Sequence, residues 1–379
     1  MTLTILKVFL FLLWLASIAF YAISTYCLAT FYRKKGQPGS DTPPLTVLKP
    51  LKGSDENTYD NLRSFLAQDY PRFQVIFGVA DENDPVIGTV RRLMAEFPGV
   101  ETELVVSGRE IGVNQKVSNL ANMHEMSKYD IVIVADGDMR VGPDYLRAVA
   151  GGFSDPEVGM VTCPYRGAYP VDAGSALEAL TIDTDFLPSV AVAQRLEGLS
   201  FALGATMAAR REALDAIGGF AALADYLADD YQFGNKIKKA GYKLLLSQYV
   251  VDSIQGSESI RGYFSHQLRW GRTYRACRPK GYFLSVLTKG TAFSVMFLLA
   301  AMFDGLGWTV FGVGLAIRYL QAAYIEAAYI KGPGVFRYLW FLPLKDLLSF
   351  VIWALSFTGS TVKWKGTSFR IDREGRMAR

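Results

Sequence analysis

The sequence predicts an α/β fold, a doubly wound and mostly parallel sheet, carried between N- and C-terminal transmembrane helices. Three observations lead there. Strand-like apolar runs alternate with helix-like stretches from Leu45 onward, as in a parallel sheet covered on both faces. One of these runs, Ile131 to Ala135, ends abruptly in Asp136-Gly137-Asp138, and the carboxyl ends of strands are where open α/β sheets bind ligands. Half of the 379 residues are hydrophobic, more than a purely soluble enzyme needs.

Residues 1–32 read as a membrane anchor, because Ile5 to Thr30 is apolar apart from Lys7 and, at about 1.5 Å per residue, reaches across a bilayer. A cleaved signal peptide is the alternative, but the run is long for one and no small-x-small site comes after it. Arg33, Lys34 and Lys35 come next and place the domain beyond them in the cytoplasm. Residues 33–44 form a linker marked by Gly36, Pro38, Gly39, Pro43 and Pro44.

The catalytic domain is expected over 45–260. Strands are predicted at Leu45 to Leu48, Gln74 to Val79, Glu103 to Val106, Ile131 to Ala135 and Val158 to Cys163. Helices are predicted at Tyr59 to Gln68, Pro85 to Glu96, Lys116 to Ser127 and Ala176 to Leu187, and the stretch Ala224 to Phe233 opens another that runs to Ala240 and is closed by Gly241. Residues 261–282 carry Arg269, Arg272, Arg275 and Arg278 among aromatics with no acidic residue, as in an amphipathic segment where arginines meet lipid phosphates. The region 283–362 holds three apolar stretches, Phe283 to Phe303, Gly305 to Tyr329 and Val335 to Phe357, interrupted by Lys289, Arg318 and Lys345-Asp346. A basic tail, 363–379, should stay cytoplasmic, which conflicts with three full crossings. The last stretch, broken by Pro343 and Lys345-Asp346, is the expected re-entrant one.

Composition narrows the chemistry. A formal charge of +4 carries no nucleic-acid signature. Cys27, Cys163 and Cys277 are odd in number and far apart, which suits a reducing compartment and matches no zinc spacing. With only His124 and His266, histidine-based metal catalysis is close to excluded. Neither a Walker loop nor G-x-G-x-x-G is present, so a nucleotide must be held by other groups.

Carboxylates supply those groups. Asp136 and Asp138 can hold a hard divalent cation that also grips phosphate oxygens, although Asp-Gly is equally a common turn. Asp81, after the second strand, can contact a base or ribose. Asn114, Lys116 and Asn119 open a helix whose N-terminus attracts pyrophosphate, and helix capping explains them almost as well. Asp183-Thr184-Asp185 is a rival pair with no preceding strand, facing either an acceptor or solvent. Asp229-Asp230 opens a helix, where acidic residues favour the dipole, yet an adjacent pair exceeds what a cap needs.

Taken together, Leu48-Lys49-Pro50-Leu51-Lys52-Gly53, Val79 to Pro85, Asn114 to Leu120, Asp136 to Val141, and Asp229-Asp230-Tyr231 followed by His266-Gln267-Leu268-Arg269-Trp270 resemble the ceramide glucosyltransferase family. The resemblance covers about Leu45 to Lys280 and the flanking membrane segments. It is greatest toward bacterial members that glycosylate hopanoid polyols. It implies a GT-A fold and an inverting transfer of a hexose, glucose or N-acetylglucosamine, from a UDP-sugar to a lipid hydroxyl, in the bacterial inner membrane. By position, Asp230 would be the general base. Lys52, Asp81, Lys116 and Asp136 would bind the donor, and Asp136 with Asp138 would hold Mg2+ or Mn2+. Asp229, His266, Arg269 and Trp270 would line the acceptor side. The family's last motif begins with Gln or Arg where this chain has His266, and Gln267, one step later, should point elsewhere on a helix. A processive polysaccharide synthase and a polyprenyl-phosphate sugar transferase share parts of this pattern, and a non-catalytic lipid- or nucleotide-binding scaffold is the alternative of another class.

Overall fold

The computed structural model describes residues 2–33, 42–254, 256–364, 367–372 and 374–378. Lys34, Lys35, Gly36, Pro38 and Gly39 lie outside the described residues. Contacts divide the chain into two compact units, one of 35–165, 197–256 and 370–379 and the other of 1–34, 166–196 and 257–369. Segment 166–196, which the linear reading leaves inside 45–260, thus groups with the helical unit, and 370–379 groups with the sheet.

The strands are β1 (Leu45–Pro50), β2 (Phe73–Val79), β3 (Glu101–Val106), β4 (Ile131–Val134), β5 (Met139–Arg140), β6 (Val158–Thr162), β7 (Tyr165–Ala168), β8 (Met207–Arg210), β9 (Lys243–Leu246), β10 (Val251–Ile254), β11 (Thr361–Trp364), β12 (Thr367–Ile371) and β13 (Met377–Ala378). Seven of them form one sheet in the order β3-β2-β1-β4-β8-β6-β9. The first four run parallel, and β8 lies antiparallel between β4 and β6. β2 and β4 are buried along their whole length, because helices cover both faces of the sheet. Leu48, Ile76, Val132 and Val134 pack there against Val117 and Leu120 of the helix Gln115–His124 and Phe233 and Ile237 of the helix Asp229–Lys239. The short β5 pairs antiparallel with β10, Arg140 opposite Asp252 and Met139 opposite Ser253.

In the helical unit the N-terminal helix spans Thr2–Arg33. Small residues bring it close to its neighbours: a Cβ at Gly314 would lie 2.3 Å from Ser294 Oγ and 2.5 Å from Trp14 Nε1. Among the described residues, Leu3–Arg33 and Phe336–Ser356 are long and apolar enough to cross a membrane, and the pair Pro279–Thr288 and Gly290–Ala300 joins them if its 60° bend belongs to one span. The helices differ from the sequence expectation on two counts. The break falls at Lys289 in the first apolar stretch, and the middle one, which forms the helix Gly305–Ile325, is not among the candidates.

The final stretch continues because its interruptions are harmless. Pro343 stands in the first turn of the helix Leu342–Ser356, where no N–H is needed. Lys345 and Asp346 are buried and paired at 2.7 Å. Asp185 completes the neutralisation, lying 3.1 Å from Lys289, 2.6 Å from Arg318 and 2.8 Å from Lys345. Asp183-Thr184-Asp185 is therefore turned mainly toward groups of the helical unit rather than solvent. It sits in a π-helical turn, Ile182–Phe186, where Asp183 Oδ1 accepts from the Gly167 N–H at 2.8 Å while Asp185 gathers the cations.

Candidate active site

β1 and β4 are parallel neighbours, and the Ala135 N–H donates to the Leu48 carbonyl at 3.2 Å, so the chain leaves β4 at the carboxyl edge of the sheet. Asp136 comes directly after and is half-buried, whereas Asp138 is exposed. The Asp138 carbonyl accepts from the Ile254 N–H at 2.9 Å, which ties the acidic turn to the β5–β10 ribbon. Beneath it Lys49, fully buried near the end of β1, donates to the Asp136 carbonyl and lies 3.7 Å over the Phe65 ring.

Lys116 comes from the first turn of its helix. Asn114 caps that helix by accepting the Val117 N–H at 3.2 Å, and its Nδ2 donates to the Tyr226 carbonyl at 2.8 Å. Lys116 Nζ lies 2.7 Å from Asp136 Oδ1 and 3.2 Å from Asp229 Oδ2. One ammonium thus joins two acidic motifs separated by more than ninety residues in the sequence. A Cβ at Gly204 would lie 3.4 Å from Asp136 Oδ2 and 3.5 Å from Asp230 Oδ2, so both carboxylates border the space this glycine leaves open. The helix begun by Asp229 has Ala228 at its cap position and no side-chain cap. Asp230 Oδ1 instead accepts the N–H of its neighbour Tyr231 at 2.7 Å.

The electrostatics reflect this crowding. Burial lowers the Lys116 amine, but Asp136 and Asp229 outweigh it and hold it above its ordinary value. Asp230 is pushed up to about 6 by burial and then by the Asp229 charge, against the pull of Lys116. Asp138 is also pushed up to about 6: its side chain reaches solvent, but the protein crowding its carboxyl and the charge of Asp136 both disfavour ionisation. Burial draws the Lys49 amine down to about 7 despite Asp136 and Asp138.

Two carboxylates, Asp136 and Asp138, are what the site offers a metal. No group of three or more potential His, Cys, Asp or Glu ligands occurs among the described residues. That donor set fits a hard cation such as Mg2+, which is commonly held by one or two carboxylates and completed by substrate phosphates and water.

The other predicted residues lie apart. Lys52 is exposed in the loop after β1, and the next residue, Gly53, donates its N–H to Asp84 at 2.9 and 3.1 Å. Asp81 is exposed beyond β2, where its Oδ1 accepts the Asn83 N–H at 2.9 Å. Because β1 lies between β2 and β4, Asp81 and Asp136 leave the sheet two strand spacings apart, about 10 Å. Asn119 is structural, with Nδ2 donating to the Gly78 carbonyl at 2.7 Å.

His266, Arg269 and Trp270 occupy the helix Ile260–Cys277 of the helical unit. Here another expectation is corrected. Gln267 does not point away from His266: His266 Nδ1 lies 3.3 Å from Glu178 Oε1, and Gln267 Nε2 lies 3.0 Å from both oxygens of the same carboxylate. Side chains one step apart on a helix can meet a single long partner placed between them. Trp270 packs edge-on to His266 with centroids 4.9 Å apart, and Phe186 lies 6.1 Å away.

A sequence profile described as Glycosyl transferase family 21 matches residues 9–377. The chain belongs to that family. Among curated relatives, ceramide glucosyltransferase 1 of Caenorhabditis elegans is 24% identical over 98% of this chain and 80% of its own length. Ceramide glucosyltransferase 3 of the same organism is 27% identical over 72% of this chain and 58% of its own length. Among solved structures, a mannosyltransferase from Pyrobaculum calidifontis in complex with GDP-Man and Mn2+ aligns with 90% of this chain and 99% of its own, at a TM-score of 0.53 and 19% identity. The GT-A fold and the hexosyltransferase class expected from the motifs therefore hold for this family 21 chain.

Two residues that contact the predicted ones, Lys49 in the sheet unit and Glu178 in the helical unit, are absent from the sequence-based candidates. A lysine inside an otherwise buried strand is itself an anomaly, so Lys49 was findable from β1, ahead of the exposed Lys52. Glu178 carried no such signal, because its partners lie almost ninety residues further on.

Proposed function

We propose that this family 21 enzyme moves a hexose, glucose or N-acetylglucosamine, from a UDP-sugar to the hydroxyl of a membrane lipid, either ceramide or a hopanoid polyol, with inversion at the anomeric carbon. The observation that supports this most is the convergence of Asp136 and Asp230 on the space above Gly204, with Lys116 linking the two motifs. In this reading the Asp230 carboxylate takes the acceptor O–H proton as that oxygen attacks the anomeric carbon. The bond from that carbon to the diphosphate breaks, and its electron pair leaves with the phosphate oxygen. Such a positioned base contributes about 10² to 10⁴ in rate. Asp136 and Asp138 would hold a divalent cation, which when bound offsets the negative charge gained by the leaving diphosphate. Asp81, about 10 Å along the sheet edge, suits the uridine end of the same donor. Lys52 and Lys116 are assigned to the donor, and Asp229, His266, Arg269 and Trp270 to the acceptor side. The proposed location is the bacterial inner membrane with the sheet unit in the cytoplasm, where nucleotide sugars are made.

The test uses purified full-length protein with UDP-glucose or UDP-N-acetylglucosamine and ceramide, a hopanoid polyol or diacylglycerol, with products read by mass spectrometry. A single hexose added to a lipid is expected. A ladder of added sugars would replace this reading with a processive synthase, and no consumption of either donor would overturn it. Asp138→Asn is expected to weaken cation-dependent donor binding by calorimetry, since an amide is a poorer ligand for a hard cation than a carboxylate. Asp230→Asn should bind donor as wild type does and lose single-turnover transfer by about 10² or more.

A further inference from the structure

Distant in sequence from every motif above, the segment Arg370–Ala378 lies against the loop that delivers Asp229 and Asp230. It is a hairpin built from its own residues. Arg370 pairs with Ala378 and Ile371 with Met377 across β12 and β13. The turn is closed by Asp372, whose Oδ1 accepts the N–H groups of Glu374 and Arg376 at 2.8 and 2.9 Å, and by Gly375 at φ +84°, a conformation that favours glycine. Asp372 thus organises the turn from within, while the Glu374 and Gly375 carbonyls are left to accept bonds from outside the hairpin.

Among the described residues, the bonds from the hairpin to the 224–232 stretch are four. The Met377 N–H donates to the Asp225 carbonyl at 2.7 Å, and the Leu227 N–H donates to the Gly375 carbonyl at 3.4 Å. Arg376 Nε donates to the Tyr226 hydroxyl at 3.2 Å, and Gln232 Nε2 donates to the Glu374 carbonyl at 3.4 Å. From the opposite side the Asn114 N–H donates to the Ala224 carbonyl at 2.7 Å and Asn114 Nδ2 to the Tyr226 carbonyl at 2.8 Å. Loop 224–228 is therefore held between the turn that carries Lys116 and the hairpin. The helix it feeds lacks a side-chain cap of its own.

We infer that the hairpin 370–378 is a strap that sets the position of Asp230 by clamping loop 224–228, with Arg376 and the Met377 N–H as positioning groups for the transfer reaction. This rests on the reading of Asp230 as the base. A misplacement of about 1 Å at a reacting group can cost about 100-fold in rate, so releasing one side of the loop should lower turnover while leaving the cation and donor residues at the end of β4 in place.

The experiment compares the full chain with Arg376→Ala, with Met377→Pro, which removes the bonding N–H, and with a chain ending at Ile371. Turnover and donor KM are measured in detergent for each, beside thermal unfolding. The expected result is a loss of turnover of about tenfold or more in the truncated chain, with donor KM within about twofold of wild type, smaller losses in the point variants, and partial recovery when a synthetic peptide spanning 367–379 is added to the truncated chain. Full turnover in all three variants would overturn the strap, as would a turnover loss that only tracks a lowered unfolding temperature and is not recovered by peptide. Asp230→Asn run in the same assay separates the two readings: if it is inactive while the strap variants are fully active, the strap alone fails, and if it is itself fully active, the base assignment fails.

Discussion

Asp230 is held in a condition that suits a proton acceptor and works against folding. Burial and the neighbouring Asp229 charge raise its carboxyl to about 6, so at neutral pH it is ionised but more basic than a free carboxylate. At saturating donor and cation, turnover is expected to rise with pH through about 6, and Asp230→Asn should lack that limb. A limb that persists in the variant would assign it to another group. The sign for stability is opposite. The folded state binds this proton more tightly than the unfolded state, so the penalty is full above about 6 and is relieved as pH falls from there toward the ordinary carboxylate value. Asp230→Asn should therefore be more stable than wild type at pH 7.5, by on the order of 3 kcal/mol, and unfold at a higher temperature, with the difference shrinking below pH 6. An equal unfolding temperature at pH 7.5 would show that Lys116 already offsets the burial.

At the scale of elements, the arginine-rich helix Ile260–Cys277 has a structural task that its composition does not suggest. Arg272 donates to the carbonyls of Thr358 at 2.8 Å and Thr361 at 2.5 Å, and Arg275 to that of Gly359 at 2.7 Å. These carbonyls lie just past the end of the helix Leu342–Ser356, where cations also complement the dipole. Charge-assisted bonds of this kind contribute about 1 kcal/mol or more each. Arg272→Ala together with Arg275→Ala is expected to lower the unfolding temperature by several degrees while binding to anionic vesicles is retained. Lost vesicle binding at unchanged unfolding temperature would restore the lipid-phosphate role expected from composition.

For the whole molecule, the contact between 370–378 and loop 224–228 constrains the membrane topology. Both lie in the sheet unit, so if that unit stays on one side of a bilayer, any crossings made between residues 256 and 370 come in an even number. The Phe336–Ser356 helix and the bent pair around Lys289, taken as one span, meet that requirement. Arg318 is the centre of the buried charges in this region: it lies 2.6 Å from Asp185 and 3.0 Å from Asp346 and is 1% exposed. Arg318→Ala leaves both carboxylates underpaired, and breaking a buried pair typically costs about 3–5 kcal/mol. A large fall in unfolding temperature in detergent is expected. An unchanged value would mean that Lys289 and Lys345 suffice.

Much of this was legible in the linear chain. Of the parallel strands β1 to β4, three are mostly apolar runs and β3 is half polar, and periodic helices separate them. Asp136, Asp138 and Asp230 announced themselves because carboxylates directly after an apolar run, or paired at a helix start, exceed what turns and caps need. The later strands β8 to β10 were not legible: Met207–Arg210 is alanine-rich and its strand character comes from pairing between β4 and β6. The partners of a charge were illegible for the same reason. Lys116 bridging Asp136 to Asp229, Asp185 gathering three cations, and the hairpin 370–378 returning to loop 224–228 all join residues about a hundred or more positions apart, except for the twenty between Lys116 and Asp136. Periodicity and motif report what a residue is suited to do within a few turns of chain. Which opposite charge or carbonyl it meets is decided by packing between elements, and only the tertiary structure contains that.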